Sequence, residues 1–372
     1  MYLTIFFITA LVCFDISVIY HQKESLIRKK EYDLIMTTKS VILNSEKPAL
    51  LLSACPRYQR SPLKKNSIQG NSFWIKDETQ RMGLGAFKAL GGVYAVGSII
   101  AEKQGLPLKT DSFFLDEFKS CARELTFVCA SAGNHGLAVA AGAQIFGSKA
   151  RIHLSDTVPE DFAKRLTKKN AQVVRSGANY EESIKAAIED ANSNKAIHLA
   201  DGSWPGYIEP PRLVMEGYTI MAKELCEQFE QLNDWPTHVY LQAGVGGFAA
   251  AVAFEIRNSW REQPKIIIVE PDAAPCLKQS IEHGKILTVE GPVSEMGRLD
   301  CKTPSMLAFD ILSEAANEFC LITEEQAQNA ARLSNEMGLA TSPSGAAGLA
   351  ALLANPDKDA SSLVFFTEGS VN

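Results

Sequence analysis

The chain has 372 residues, of which 46% are hydrophobic and 22% are charged, as in an ordinary globular protein with two domains or one large α/β domain. Its formal net charge of -6 gives no basic footprint of the kind found in nucleic-acid-binding proteins. Eight cysteines spread over this length without a CxxC pair exclude a disulfide framework and argue against a structural zinc site. We therefore expect no nucleic-acid partner and no metal.

The first twenty residues are almost wholly apolar, and four basic residues follow between positions 23 and 30. Three interpretations stay open. The run is long enough for a membrane anchor, a secretory signal peptide is disfavoured because no basic residue precedes the run, and translation that begins at Met36 would leave an artefact or a weakly structured extension. We treat residues 1–36 as an N-terminal extension, with membrane contact only if residues 1–20 are a true anchor.

The first informative stretch is Trp74–Ala95, in which a short apolar strand opens into a charged, glycine-rich loop. A helix is expected to begin at about Ala86, with Lys88 in its first turn. The positive end of the helix dipole disfavours a cation by roughly 0.3–1 kcal/mol. That field, together with burial, is expected to favour a neutral amine that can react with an aldehyde. The alternative is a surface lysine on an amphipathic helix.

Strands alternate with helices along the rest of the chain, which indicates mostly parallel sheets with helices on their faces. Residues 53–65 are expected to be irregular, and residues 104–123, which are polar with an amphipathic helical patch, are expected to form a loop or an insertion. The predicted strands are 72–76, 125–129, 150–154, 172–174, 197–199, 238–242, 265–269 and 363–366. The predicted helices are 86–102, 137–146, 161–169, 180–192, 215–232, 248–257, 324–337 and 345–353.

Two turns between a strand and a helix have the composition of ligand sites. In Ser131–Gly136, backbone N–H groups at a helix start form an anion site, and Asn134 offers both a donor and an acceptor. The alternative is a plain βα turn without a ligand. Likewise, His135 could equally be a hydrogen-bonded packing residue.

The second turn contains Gly244, Val245, Gly246 and Gly247, whose successive amides suit a monophosphate. Its spacing is incomplete for a nicotinamide dinucleotide. An amine, an amide-bearing turn and a phosphate loop are together what pyridoxal 5′-phosphate (PLP) needs.

The chain resembles the fold-type II PLP enzymes, the family of tryptophan synthase β and threonine dehydratase, and among them the diaminopropionate ammonia-lyases. The resemblance covers roughly residue 56 to the C-terminus. The segments that carry it are 74–94, 131–136, 201–207, 244–247, 269–271, 296–305, 344–346 and 367–369. It implies an α/β fold of two open, mostly parallel sheets with flanking helices and the cofactor in the cleft between two domains. The large domain would combine residues 37–88 with 205–372, and the small domain would be residues 89–204.

The resemblance also assigns cofactor-binding residues. Lys88 matches the lysine that binds the cofactor covalently, and Asn134 matches the residue that hydrogen-bonds the ring hydroxyl. Gly244–Gly247 match the phosphate loop, and Thr367 lies where a hydroxyl residue meets the pyridine nitrogen. A hydroxyl cannot hold a full positive charge on that nitrogen as a carboxylate would, which favours elimination over transamination.

Asp201 begins the Asp-Gly-Ser-Trp-Pro-Gly-Tyr stretch, which is similar to a segment of the ammonia-lyases in which a carboxylate is the base for the L-substrate. An aspartate that caps a turn is the alternative. Trp204 and Tyr207 are expected to shape the wall of the substrate pocket, together with Ser131 and Ala132.

The chain departs from the family's pattern in two places. Ala132 stands where the ammonia-lyases carry an aspartate that acts as base for the D-substrate, so action on D-diaminopropionate is expected to be weak or lost. Gly85 stands where the family usually has asparagine. Cys276 and Cys301 match cysteine positions of the ammonia-lyases; two free thiols are favoured over a disulfide.

The resemblance thus implies α,β-elimination of 2,3-diaminopropionate, with the L isomer favoured, to pyruvate and ammonia. Two alternatives stay open: a serine or threonine dehydratase-like enzyme, which Ala132 supports, and a PLP-binding protein without turnover, which the retained Lys88, Asn134 and Asp201 oppose. The expected partner is a small amino-acid substrate, and we expect a cytoplasmic homodimer.

Overall fold

The computed structural model describes residues 42–68, 70–106, 115–357 and 359–370. The segment interpreted above as an extension, an anchor or a signal peptide lies outside these residues. None of the helices in these described ranges combines the length and the hydropathy that a membrane span requires. The fold described below belongs to the compact unit that begins at Leu43.

The described residues form ten strands and twelve helices. The strands are β1 Leu63–Ile68, β2 Asn71–Asp77, β3 Thr126–Ala130, β4 Lys149–Leu154, β5 Gln172–Arg175, β6 Ile197–His198, β7 His238–Gln242, β8 Lys265–Pro271, β9 Glu318–Ile322 and β10 Ser362–Phe366. The helices are α1 Glu46–Ser53, α2 Lys88–Lys103, α3 Asp116–Glu124, α4 Asn134–Phe146, α5 Glu160–Thr167, α6 Tyr180–Ser193, α7 Glu209–Leu232, α8 Gly247–Ser259, α9 Cys276–Glu282, α10 Met306–Ala315, α11 Glu324–Glu336 and α12 Ala347–Ala354.

The strands form two sheets, and this confirms the predicted α/β class. The six-stranded sheet has the order β1-β2-β10-β7-β8-β9, and only its β1–β2 pair is antiparallel. The four-stranded sheet has the order β5-β4-β3-β6 and is entirely parallel. All strands of the smaller sheet lie between residues 126 and 198. The domain boundaries at 88/89 and 204/205 stay a prediction.

Helix α2 occupies a central position because small residues let its neighbours approach closely. A Cβ built on Gly217 of α7 would lie 2.6 Å from the Cα of Gly91, and one built on Gly92 would lie 2.5 Å from the Cβ of Ala138 in α4. Real side chains do not tolerate such distances, so glycine at these positions lets α2 lie against both α7 and α4. This packing fixes the position of Lys88, the first residue of α2.

Some sequence-based expectations for secondary structure were wrong. Strands β1 and β9 and helices α1, α9 and α10 were missed. Both strands lie at sheet edges, and in β1 polar side chains replace the apolar run of a central strand, whereas β9 is mostly apolar but partly exposed. Part of the predicted 104–123 loop is helix α3. Helix α7 begins six residues earlier than expected because Pro210 and Pro211 occupy its first turn, where no N–H is needed.

A buried charge cluster anchors the loop between β2 and α2. Arg81 Nη1 lies 2.7 Å from Glu224 Oε1, and Arg81 Nε lies 2.6 Å from Glu78 Oε2. Lys76 Nζ lies 2.7 Å from Glu224 Oε2, and neither side chain of this pair is more than 4% exposed. Glu224 belongs to α7, so the cluster joins this loop to the same helix that packs against α2.

Burial by itself raises the pKa of Glu224, but the hydrogen bonds and charges of Arg81 and Lys76 outweigh burial and lower the pKa to about 2. A carboxylate with a depressed pKa stabilises the fold above its unfolded pKa of about 4.3 and loses that contribution as the pH falls towards 2.

We expect Glu224→Gln to lower the free energy of unfolding by about 3–5 kcal/mol at neutral pH, because Lys76 would stay buried without its ion-pair partner and Arg81 would keep only Glu78. The difference from the unsubstituted chain should shrink as the pH falls from about 4.3 towards 2. Urea unfolding at several pH values measures both effects. Glu227→Gln, which removes an exposed partner of Arg60, is the matched control, and equal losses in the two variants would refute the assignment.

Candidate active site

The loop before Lys88 is joined to the carboxyl end of β10 by backbone hydrogen bonds. Glu78 N donates to Phe366 O at 2.9 Å, Phe87 N donates to Thr367 O at 3.1 Å, and Gly369 N donates to Gly85 O at 3.0 Å. These bonds place the start of α2 at the carboxyl edge of the six-stranded sheet, where ligands of parallel sheets bind.

Gly85, which departs from the family's asparagine, has a φ of +82°. Glycine and asparagine are the residues that adopt this left-handed conformation most readily. The exchange is therefore compatible with an unchanged loop backbone.

Lys88 and Asp201 form an ion pair in the centre of the site, with 2.6 Å between Lys88 Nζ and Asp201 Oδ2. The side chains are 20% and 24% exposed. Burial by itself lowers the pKa of Lys88, but the charge and hydrogen bond of Asp201 outweigh burial and raise the pKa above its ordinary value. The expected neutral amine is therefore wrong for this arrangement, because the local argument omitted a carboxylate that is 113 positions away in sequence.

The same ion pair sets the charge of Asp201. Burial by itself raises the pKa of this carboxyl, but the Lys88 ammonium and a contribution from His135 hold it well below its usual range. Asp201 is therefore an ionised carboxylate with a close cationic partner, which a turn-capping role alone would not require.

Tyr207 supports the backbone that leads to Asp201. Its hydroxyl donates to His198 O at 2.8 Å and accepts from Ala200 N at 3.0 Å. Its ring stacks on that of Trp204 with 4.2 Å between ring centroids, and Trp204 is 37% exposed. Tyr207 thus positions the segment before the carboxylate, while its role as a pocket wall stays a prediction.

The Asn-bearing turn joins β3 to α4, and Asn134 is the first residue of α4. Ser131 Oγ accepts from Gly133 N at 3.2 Å, and Ala132 is half-buried. The amide Nδ2 of Asn134 donates to the carboxylate of Glu368. The turn is therefore held from within and from the other sheet.

His135 is buried, and its Nε2 lies 2.8 Å from Leu199 O. Burial lowers the pKa of His135, which favours the neutral ring. This contact supports the packing role, and it ties the Asn-bearing turn to the segment that carries Asp201.

In the glycine loop between β7 and α8, Gly244 and Gly246 have no room for a side chain. A Cβ on Gly244 would lie 2.9 Å from Cys301 Sγ, and one on Gly246, whose φ is +95°, would lie 2.9 Å from Ala308 Cβ. Gly247 begins α8, where the first backbone N–H groups have no partner within the helix. Val245 O accepts from Ser305 N at 2.9 Å. A tight glycine turn that leads into a helix start fits the predicted anion site, which stays a prediction.

Thr367 lies just after β10 and is buried. Its Oγ1 accepts from Gln242 Nε2 at 3.2 Å. Because Gln242 supplies the donor, the hydroxyl proton of Thr367 is left to donate to a further acceptor. This polarity fits the predicted position against a ring nitrogen.

Sequence reasoning missed three residues that support the site. Ser203 and Ser305 share a hydrogen bond of 2.7 Å between their hydroxyl oxygens, which ties the Asp201 segment to the start of α10. Glu368 contacts Asn134 across the cleft. Ser305 and Glu368 lie in segments that carried the resemblance, but their roles depend on contacts more than 100 positions away, which no local pattern reveals.

Cys276 and Cys301 are both free thiols near Gly244. Burial raises the pKa of Cys301 to about 12 and also raises that of Cys276, so both are held as thiols. Their arrangement agrees with the favoured interpretation of two free cysteines.

A cavity of about 460 Å³ opens beside this arrangement. Gln80, Gly85, Asn134 and Arg165 are among the residues that line it. It therefore lies between the loop before Lys88 and the start of α4, with Asn134 in its wall.

These residues fit PLP. Lys88 supplies an amine, the glycine loop ends at the start of α8 where backbone N–H groups have no partner within the helix, and Asn134 and Thr367 supply donors. The assignment of individual residues to atoms of the cofactor stays a prediction.

Comparisons with known proteins agree with this fit. Residues 56–368 match the family described as "Pyridoxal-phosphate dependent enzyme". The chain is 33% identical over 320 residues to diaminopropionate ammonia-lyase of Escherichia coli K12, which covers 80% of each protein. It is 34% identical over 283 residues to the enzyme of that name from Salmonella typhimurium, which covers 73% of this chain and 70% of that protein.

Solved structures show the same likeness. The holo form of Escherichia coli diaminopropionate ammonia-lyase superposes with a TM-score of 0.78 at 29% identity, and covers 87% of this chain and 88% of that chain. Maize serine racemase superposes with a TM-score of 0.72 at 20% identity over 89% of this chain and 95% of that chain, which shows the fold alone. Both comparisons confirm the predicted fold type II architecture, and the holo structure agrees with PLP as cofactor.

We expect Gly244→Ala to weaken PLP binding at least tenfold, because the added methyl would lie 2.9 Å from Cys301 Sγ and 3.1 Å from Arg298 O. Titration of the cofactor-free full chain with PLP, followed by absorbance, measures the dissociation constant. Gly297→Ala is the matched control, since nothing lies within 4 Å of its Cβ position. Unchanged affinity in Gly244→Ala would place the phosphate elsewhere.

Proposed function

Because the chain belongs to the family of pyridoxal-phosphate-dependent enzymes, we propose that it is an ammonia-lyase that converts 2,3-diaminopropionate, with the L isomer favoured, to pyruvate and ammonia. The observation that carries the proposal is the ion pair between Lys88 and Asp201, at the meeting point of the Asn-bearing turn, the glycine loop and the end of β10. The relatives named diaminopropionate ammonia-lyase support the choice of substrate.

Each residue of this chain has a distinct task in the proposal. Lys88 holds the cofactor, Gly244–Gly247 bind its phosphate, Asn134 binds its ring hydroxyl and Thr367 faces its ring nitrogen. When bound, the cofactor supplies an electron sink for the charge left at the α-carbon. Because the partner at the ring nitrogen is a hydroxyl, the site favours elimination over transamination.

Asp201 is the proposed base for the α-proton of the L-substrate. The Lys88 ammonium is the main influence that lowers the pKa of this carboxyl. Without the positive charge of Lys88, burial would be left to raise the pKa, and Asp201 would be a stronger base. The freed amine of Lys88 is the other group within reach of the same proton. Ala132 has no group that takes a proton from the opposite face.

The second candidate is a serine or threonine dehydratase-like enzyme. Two observations favour it: the alanine at position 132, and relatives named probable D-serine dehydratase, of which the Pseudomonas putida protein is 26% identical over 241 residues. Pyruvate and 2-oxobutyrate release from L-diaminopropionate, L-serine, D-serine and L-threonine separates the two activities. A PLP absorption band that no amino acid alters would instead indicate a binding protein without turnover.

We also propose, on the resemblance, a homodimer in the cytoplasm, with the domain division at residues 88/89 and 204/205. Light scattering on the purified chain tests the dimer.

The L isomer of diaminopropionate should release pyruvate about 10²–10⁴ times faster than the D isomer, because that is the contribution of a positioned general base and Ala132 provides none. Coupled pyruvate assays on both isomers measure the ratio. Ala132→Asp should raise the rate with the D isomer and change the rate with the L isomer little. Equal rates with the two isomers in the unsubstituted chain would contradict this stereochemical assignment.

Asp201→Asn should lower kcat for L-diaminopropionate by about 10²–10⁴-fold, since the amide cannot accept the α-proton. Steady-state pyruvate release gives kcat, and absorbance of bound PLP shows whether the cofactor is retained. Asp161→Asn, at a carboxylate that is 90% exposed on α5, is the matched control. A loss below tenfold would leave Lys88 as the base.

A further inference from the structure

Glu368 is a buried carboxylate that no part of the proposed reaction uses. It directly follows Thr367 at the end of β10 and is 4% exposed. Asn134 Nδ2 donates to its Oε2, and Ser342 Oγ donates to its Oε1. Arg298 Nε lies 3.5 Å from Oε2 and supplies the opposite charge. Both oxygens of this carboxylate are therefore partnered, and one of the partners is a proposed cofactor ligand.

The hydrogen bond between Asn134 and Glu368 joins the two sheets close to Lys88. A bridge between Ala86 and Glu368 ties the carboxylate's backbone to the loop before Lys88. Asn134 starts α4, which follows a strand of the smaller sheet. A change at Glu368 is thus transmitted to Asn134 directly.

A side-chain amide can act as a donor or as an acceptor of hydrogen bonds, depending on how it is turned, whereas an ionised carboxylate only accepts them. Asn134 can present either its NH₂ group or its oxygen in a given direction. The oxygen of Asn134 would be repelled by Glu368, so the NH₂ group must face it. That group has two N–H donors, of which Glu368 uses one.

We propose that Glu368 is a positioning residue that fixes the polarity of the Asn134 amide, so that its second N–H faces the ring oxygen of the cofactor. The inference rests on the placement of Asn134 in the proposed function. Glutamine at position 368 has nearly the same size, but its amide can pair with Asn134 in two opposite orientations. The charge of Glu368, and not its volume, therefore selects the donor.

The test is a double-mutant cycle on PLP affinity, which needs no turnover. The full chains with Glu368→Gln, with Asn134→Ala and with both substitutions are stripped of cofactor and titrated with PLP. Each single substitution should weaken binding about three- to tenfold, the usual effect of one hydrogen bond. The double variant should match Asn134→Ala within twofold, because Glu368 acts through Asn134.

Ser342→Ala is the matched control, since it removes the donor to the other carboxylate oxygen and leaves the acceptor for Asn134 in place. Its thermal midpoint without PLP should fall while its PLP affinity stays within twofold. Glu368→Gln should show the opposite pattern, with weaker PLP binding and an unchanged midpoint.

Two results would overturn the inference: unchanged affinity in Glu368→Gln, or losses that add in the double variant. If Asn134→Ala itself binds PLP normally, the placement of Asn134 fails instead.

Discussion

The ion pair between Lys88 and Asp201 is the contact on which the proposed chemistry depends. It joins the first residue of α2 to the segment after β6, and so brings the two sheets' ligand-bearing edges together. An ammonium and a carboxylate at 2.6 Å hold each other charged. In the proposed reaction, loss of the charge on Lys88 would remove the main influence that lowers the pKa of Asp201 and would make Asp201 a stronger base.

Much of the surrounding structure fixes where these two groups lie. The buried cluster around Arg81 and Glu224 anchors the loop before Lys88 to α7, while glycines let α7 and α4 lie directly against α2. On the other side, Tyr207 and Ser203 hold the segment that carries Asp201. The buried ion pairs of Glu224 with Arg81 and Lys76 have a high desolvation cost. They hold the loop before Lys88 in a defined geometry.

The central strands of the two sheets could be predicted from the sequence, and the edge strands β1 and β9 could not. Strand β7 has the predicted bounds because a central parallel strand is a continuous apolar run. Strand β1 was missed because its edge position permits polar side chains, whereas β9, at the opposite edge, was missed although most of its residues are apolar. Lys88 and Asp201 were both predicted as site residues, yet the prediction that Lys88 is a neutral amine was wrong. The helix field is local, whereas its ion-pair partner is 113 positions away. Glu368 was missed for the same reason, since its contact with Asn134 spans 234 positions.

Lys88 as the residue that binds the cofactor is the central claim, and borohydride reduction tests it most directly. The purified full chain is loaded with PLP, reduced, digested and mapped by mass spectrometry. The account predicts a pyridoxyl label on the peptide that contains Lys88 and no label there in Lys88→Ala. A label on another lysine, or a PLP-loaded chain that carries no label after reduction, would contradict it.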